Sequence, residues 1–182
     1  VAVLVRQGVF APVKNTPTPE VEVAQYDPSR SMTRREALEA IIDLIGDSDD
    51  FLVSTTGYTS RELYTIQQQR REKNGARLFG GELYMVGSMG HALSIAQGIA
   101  LAQPTRRVWC IDGDGALLMH MGSLVSTAGL GTRNLVHVLL NNSCHESVGG
   151  QRTAASKDGD RSMDYSFSEV ALAAGYSRVH TA

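Results

Sequence analysis

The sequence is poor in the features that most often decide a functional class by themselves. Its 2 cysteines, Cys110 and Cys144, have no metal-like spacing. That argues against a zinc cluster or a disulfide framework and leaves free thiols in a reducing compartment, the cytoplasm, as the expectation. No apolar run approaches membrane-spanning length, so a transmembrane helix is not expected. Neither sign of charge dominates: 17 Lys and Arg face 19 Asp and Glu, for a net charge of -2. This removes the electrostatic footprint of a nucleic-acid binder. The one basic cluster, Arg70 and Arg71 with Lys73, sits among Gln and Glu and reads as a solvated helix end. An initiator Met is also missing, since the chain opens at Val1. The expectation is a piece of a longer chain.

What remains is the composition of a globular domain, 42% hydrophobic and 20% charged, long enough for one core with an attached tail. Val1 to Val5 is an apolar strand-like run. The four prolines between Gly8 and Ser31 mark a connecting segment. Residues 1–32 are therefore read as the last strand of a preceding domain plus a linker, and 33–182 as the main domain, truncated at its C-terminal end. Thr33-Arg34-Arg35-Glu36 is a capping box before Leu38, Ile41, Ile42 and Ile45, whose spacing predicts a helix ending near Gly46. A second capping box, Thr59-Ser60-Arg61-Glu62, follows the strand-like run 51–55 and the break at Gly57. The same alternation recurs: strand 83–86 before a helix at 90–102, strand 108–111 before one helix from Leu117 to Ala128, strand 135–140, helix 168–175, and the start of a fifth strand at 176–179. Apolar strands alternating with helices predict an α/β fold, a mostly parallel sheet with helices on both faces.

In such sheets ligands bind beyond the carboxyl ends of the strands. Gly113-Asp114-Gly115 directly follows a strand, where the glycines are expected to allow a sharp turn that opens backbone amides to an anion at the next helix. Asp114 adds a carboxylate at that point. An acid at an anion site makes sense when a cation lies between them, as with Mg²⁺ shared by a carboxylate and a diphosphate. The triplet alone also fits an ordinary turn. Asn141-Asn142, at the end of the next strand after the 25 residues Ala116 to Leu140, brings side-chain amide oxygens that could meet the same metal.

With this spacing the chain resembles the thiamine-diphosphate enzymes, whose diphosphate-binding domain carries a Gly-Asp-Gly followed at about this distance by Asn-Asn. The resemblance implies a thiamine-diphosphate-binding fold in which Asp114, the Asn142 side chain and the Cys144 carbonyl hold Mg²⁺ or Ca²⁺. The Gly115 and Ala116 amides would then meet the diphosphate. In Gly87-Ser88-Met89-Gly90, Met89 would wedge under the cofactor and the Gly87 carbonyl would accept from its amino group. Met89 by itself would read as a core gap-filler. Gly57 and Thr59, in Thr56-Gly57-Tyr58-Thr59-Ser60, would contact the outer diphosphate oxygens.

Within that superfamily, the stretches 55–63, 87–92, 114–122 and 145–151 are similar to the phosphonopyruvate and sulfopyruvate decarboxylases, the phosphonopyruvate branch in particular. The implied reaction is non-oxidative decarboxylation of a 3-substituted pyruvate, phosphonopyruvate giving phosphonoacetaldehyde and CO₂. No ordinary side chain can delocalise the resulting carbanion, so the cofactor supplies the electron sink. The family closes each site with a pyrimidine-binding domain or subunit, in an oligomer, and the chain alone is expected to be inactive without it. Alternatives are a sulfopyruvate decarboxylase subunit or a non-catalytic cofactor-binding module. His145 and Glu146, just past the metal turn, are candidates for handling a proton or the substrate's anionic head. His91 and His120 read as packed or capping residues beside the site, and His137 as a structural residue in a strand.

Overall fold

A computed structural model describes residues 32–46, 48–75, 80–155 and 165–181. The strand expected at 1–6 and all of the expected linker except Met32 lie outside the described residues. The first helix is α1 (Arg34–Ile45), and both halves of its capping box are formed: Thr33 accepts from the Glu36 N–H, and Glu36 accepts from the Thr33 N–H at 2.8 Å. Its apolar stripe, Leu38, Ile42 and Ile45, is buried.

Four parallel strands follow: β1 (Phe51–Ser54), β2 (Gly81–Tyr84), β3 (Val108–Gly113) and β4 (Leu135–Leu140), in the order β2-β1-β3-β4. The two central strands, β1 and β3, are buried almost throughout because both faces of the sheet are covered there. On one face Leu52, Trp109 and Ile111 pack under α1 and α2 (Tyr58–Asn74), which contributes Leu63 and Ile66. On the other, Val53, Val108 and Cys110 meet α3 (Ala92–Ala102), whose Ala92, Ala96 and Ala100 recur every fourth residue and let helix and sheet approach closely. Leu117 of α4 (Asp114–Met119) and Leu124 of α5 (Ser123–Leu130) complete that layer, with α6 (Phe167–Ala173) packed partly buried against it. Truncating a fully buried residue such as Leu38 or Leu93 to Ala would cost about 2–5 kcal/mol. After β1 the chain crosses to β2 on one side, then returns past β1 to place β3 on the other. That reversal opens a crevice at the carboxyl ends of β1 and β3.

Three expectations need correction. The second helix starts at Tyr58, with Gly57 at its N-cap and no side-chain cap, so Thr59 is inside it and buried. The pairing that would have made Glu62 part of a capping box is overridden by an ion pair to Arg34. The first turn is instead fastened by Ser60, whose hydroxyl donates to the Thr55 carbonyl at 2.6 Å and meets Ser54 Oγ at 2.6 Å. The single helix expected over 117–128 is two, because three successive short turns, His120 to Leu117, Ser123 to His120 and Leu124 to Met121, interrupt it. No strand forms over 176–179: the Tyr176 N–H closes back on Ala171 at the end of α6 instead of joining a ladder. Among the described residues no helix is long and apolar enough to cross a membrane.

Candidate active site at the carboxyl ends of the strands

The crevice is a cavity of about 160 Å³, walled by the ends of β1, β3 and β4 and by the first turns of α1, α2 and α4. Asp114, Asn142 and Cys144 all line it, as do Gly115, Ala116, Met89, Thr59, His145 and Glu146. Gly57 and Gly87 sit outside its wall, in the two adjoining turns. Those turns are tied together by Thr56 Oγ1, which donates to the Val86 carbonyl at 2.9 Å.

Asp114 is the first residue of α4 and is 2% exposed. Thr153 Oγ1 donates to its Oδ2 at 2.8 Å, which leaves Oδ1 for another partner. Gly113 is extended (φ -115, ψ 153), and neither Gly113 nor Gly115 has a positive φ. The expectation that these glycines serve a sharp turn is therefore corrected. Gly115 is needed for clearance: a Cβ there would lie 2.5 Å from Cε1 and 2.6 Å from Nδ1 of His145. Conformational freedom matters at Gly57 instead, where φ 99 and ψ -148 define a region closed to other residues.

Beyond β4, the Asn141 side chain accepts from the Ser143 N–H at 3.0 Å and the Asn142 side chain from the Cys144 N–H at 3.3 Å. Two overlapping Asx turns thus fold the loop that leads into the small hairpin of β5 (Cys144–His145) and β6 (Gln151–Arg152). The carbonyls flanking Cys144 are engaged, Ser143 by the Thr153 N–H and His145 by the Gly150 N–H, each at 3.0 Å. Among the described residues, the two non-glycine residues with positive φ are Ser143 (58°) and Ser88 (55°), next to Asn142 and Met89 respectively. Backbone held in this region costs energy and gathers where a loop must present a particular group.

The sequence reading missed Arg34, Thr55, Tyr58 and Thr153. Arg34 lies within the capping-box segment at the start of α1, and its side chain reaches the cavity wall. Its Nε and Nη2 bind Glu62 at 3.0 and 2.7 Å, its Nη1 binds Glu146 Oε2, and its Cζ lies 5.4 Å from the Tyr58 ring centre. The hydrogen bonds it donates to Glu62 first, and then to Glu146, outweigh burial and push the guanidinium still further above its ordinary range, so Arg34 stays charged. Thr55 Oγ1 is buried on the cavity wall with no hydrogen-bond partner, the kind of orphan that a polar ligand satisfies. A buried carboxylate, an amide oxygen, an orphan hydroxyl and a close-packed glycine are a donor set suited to a hard cation and a phosphate ester.

The other histidines lie apart from this constellation. His91 begins α3 without a capping hydrogen bond, stacks on His120 at 4.7 Å, and places Nδ1 3.3 Å from the Met89 carbonyl. His137 Nε2 faces Asp112 Oδ2 at 3.7 Å under the sheet. Asp112 Oδ1 accepts from the Gly113 N–H at 2.9 Å and so stiffens the end of β3.

Comparison with known proteins gives the same picture. Residues 58–182 match the family described as thiamine pyrophosphate enzyme, C-terminal TPP binding domain. Phosphonopyruvate decarboxylase of Streptomyces viridochromogenes is 39% identical over 97% of this chain and 42% of its own length. The phosphonopyruvate decarboxylase of Streptomyces hygroscopicus is 42% identical over 81% of this chain and 32% of its own. Sulfopyruvate decarboxylase subunit beta of Methanothermobacter thermautotrophicus is 41% identical over 68% of this chain and 60% of its own. The chain thus spans less than half the length of the phosphonopyruvate decarboxylases it matches.

Proposed function

The chain belongs to the thiamine pyrophosphate enzyme family through its TPP-binding domain, and from that premise we propose that it supplies the metal-diphosphate half of a decarboxylase acting on a 3-substituted pyruvate. The observation that carries the reading is the convergence of the buried Asp114 with Asn142, Cys144 and Met89 on one cavity at the switch point of the sheet. Asp114 Oδ1, Asn142 Oδ1 and the Cys144 carbonyl would hold Mg²⁺ or Ca²⁺. The Gly115 and Ala116 amides, in the first turn of α4, would meet diphosphate oxygens. Thr55 and Thr59 add hydroxyls to the cavity wall. Bound thiamine diphosphate supplies the electron sink for the carbanion left when CO₂ departs.

The chain's own residues position that cofactor. Met89, on the cavity wall, would prop it, and the Gly87 carbonyl, in the neighbouring turn, would accept from its amino group. Of the two proton-handling candidates, His145 keeps an imidazole on the cavity wall, whereas Glu146 has its Oε2 taken by Arg34 and Asn142. His145 is the residue assigned to hold a proton near the reacting centre. Residues 1–32, of which only Met32 is among the described residues, are proposed on their sequence alone to be the end of a pyrimidine-binding domain and its linker. The site would be completed by that domain or an equivalent subunit, in a homo-oligomer. The two free thiols support a reducing, cytoplasmic setting.

Phosphonopyruvate is the preferred substrate, because the phosphonopyruvate decarboxylase of Streptomyces viridochromogenes matches along 97% of this chain. Sulfopyruvate is the second reading, supported by the 41% identity to a beta subunit. The test is decarboxylation by the assembled protein, pyrimidine-binding half present, with phosphonopyruvate, sulfopyruvate and pyruvate compared by kcat/KM. Phosphonopyruvate is expected to lead by at least about tenfold, since one lost charge-assisted contact is worth about 1.5–3 kcal/mol. Cofactor binding without turnover of any of the three would identify a non-catalytic binding module.

A further inference from the structure

Asn142 differs from the other proposed ligands in lying on an exposed loop, where a side-chain amide can rotate and present its NH₂ group instead of its oxygen. A cation tolerates only the oxygen. The Cys144 N–H, 3.3 Å from Asn142 Oδ1, holds only the oxygen side of that amide, and a chain of contacts holds its NH₂ side. Asn142 Nδ2 donates to Glu146 Oε2 at 3.2 Å, and the same oxygen accepts from Arg34 Nη1. Arg34 is itself anchored from behind, because Glu62 takes its Nε and Nη2 in a two-point bond at 3.0 and 2.7 Å. The fork geometry of a guanidinium then leaves Nη1 aimed at Glu146 and nowhere else.

Building on the metal assignment above, we propose that Glu146 is a positioning residue. It accepts from Asn142 Nδ2 and so turns Asn142 Oδ1 toward the cation, while Arg34, braced by Glu62, holds Glu146 in place. The chain runs from Glu62 on α2 through Arg34 on α1 to the loop after β4, three elements whose ends line the cavity or adjoin it. It also gives the acid next to the metal turn a use that does not require it to move a proton. Arg34 neutralises the carboxylate, so that Glu146 orients Asn142 without itself competing as a metal ligand.

Partners that orient a ligating side chain typically contribute about 10–100-fold to metal affinity. The test measures the Mg²⁺ affinity of the assembled protein at saturating thiamine diphosphate by calorimetric titration, a readout independent of turnover. Glu146→Ala should bind Mg²⁺ about tenfold more weakly, no worse than Asn142→Ala. Glu146→Gln keeps an acceptor for Asn142 Nδ2 and should stay within about threefold of the parent protein. Arg34→Ala should fall between the two. In an Asn142→Ala background, Glu146→Ala should bring no further loss, because its effect passes through Asn142. Glu146 is exposed, so the thermal midpoints of its two variants should match that of the parent. Three results overturn the assignment: parental affinity in Glu146→Ala, equal weakness in Glu146→Ala and Glu146→Gln, or a full further loss on top of Asn142→Ala. Asp114→Ala run alongside separates the two levels. If it too leaves Mg²⁺ affinity unchanged, the metal site itself is wrong, whereas a loss there with parental Glu146→Ala removes only the positioning role.

Discussion

The carboxyl ends of β3 and β4 bring proposed ligands to the same cation, yet they are built from opposite materials. At β3 the backbone runs from the fully buried Ile111 and Asp112 straight into α4, and Asp114 emerges 2% exposed, held by Thr153 and by helical geometry. At β4 the strand is only half-buried and ends in Asn142, exposed on a loop shaped by two Asx turns and a strained Ser143. The core fixes one ligand. Surface polar contacts fix the other, through a donor and an acceptor on the same amide. A site with one rigid wall and one adjustable wall can admit a metal diphosphate and then close on it, which a site rigid on both sides would resist.

The largest expected effect lies on the rigid side. Asp114→Ala removes the one buried carboxylate of the cavity, and metal-dependent binding of thiamine diphosphate should weaken by at least about 100-fold, or about 2.7 kcal/mol. Calorimetry with and without Mg²⁺ measures it, and an unchanged affinity would remove Asp114 from the metal site. Gly115→Ala comes next. The added methyl would sit 2.5 Å from the His145 ring, so the protein should lose about 1–3 kcal/mol of stability by denaturant unfolding. His145→Ala in the same chain should return most of it. If the double variant is no more stable than Gly115→Ala alone, the cost comes from the start of α4 and not from the contact.

On the adjustable side, Asn142→Ala should lower Mg²⁺ affinity by about tenfold while leaving the thermal midpoint where it was, because an exposed loop side chain contributes little to folding. A midpoint shifted as far as that of Gly115→Ala would mean that the two walls are built alike after all.

This contrast also explains which parts of the molecule were legible in the sequence. The rigid side was readable because its pattern is local: an apolar strand, a break, and an acid between glycines. The succession of strands and helices and the α1 capping box could be read for the same reason. The adjustable side was readable only as a spacing, from Asp114 to Asn142. What holds that side is tertiary. Arg34 and Glu146 are 112 positions apart, and Arg34 already had a local explanation as part of a helix start. The same kind of override moved the start of α2, where Glu62 turns to Arg34 instead of closing a capping box. The break between α4 and α5 was hidden because each half has its own partner: α4 presses on Gly90, and α5 packs on α3. A single apolar periodicity cannot show two docking surfaces.

Thr153 hydrogen-bonds to both walls, and it supplies the subtlest test of their difference. Its N–H donates to the Ser143 carbonyl in the Asn142 loop, and its hydroxyl donates to Asp114 Oδ2. Thr153→Val keeps the backbone link and removes the side-chain one. A hydrogen bond to a buried carboxylate contributes about 1.5–3 kcal/mol, so some stability should be lost. Helical geometry still aims Asp114, however, so Mg²⁺ affinity should fall by only about threefold, or about 0.7 kcal/mol. Thr153→Ser, which retains the hydroxyl, should restore both. If Thr153→Val instead matches Asn142→Ala in its loss of Mg²⁺ affinity, then Asp114 is aimed by the hairpin and not by α4. The wall taken here as rigid would then depend on the loop it was contrasted with.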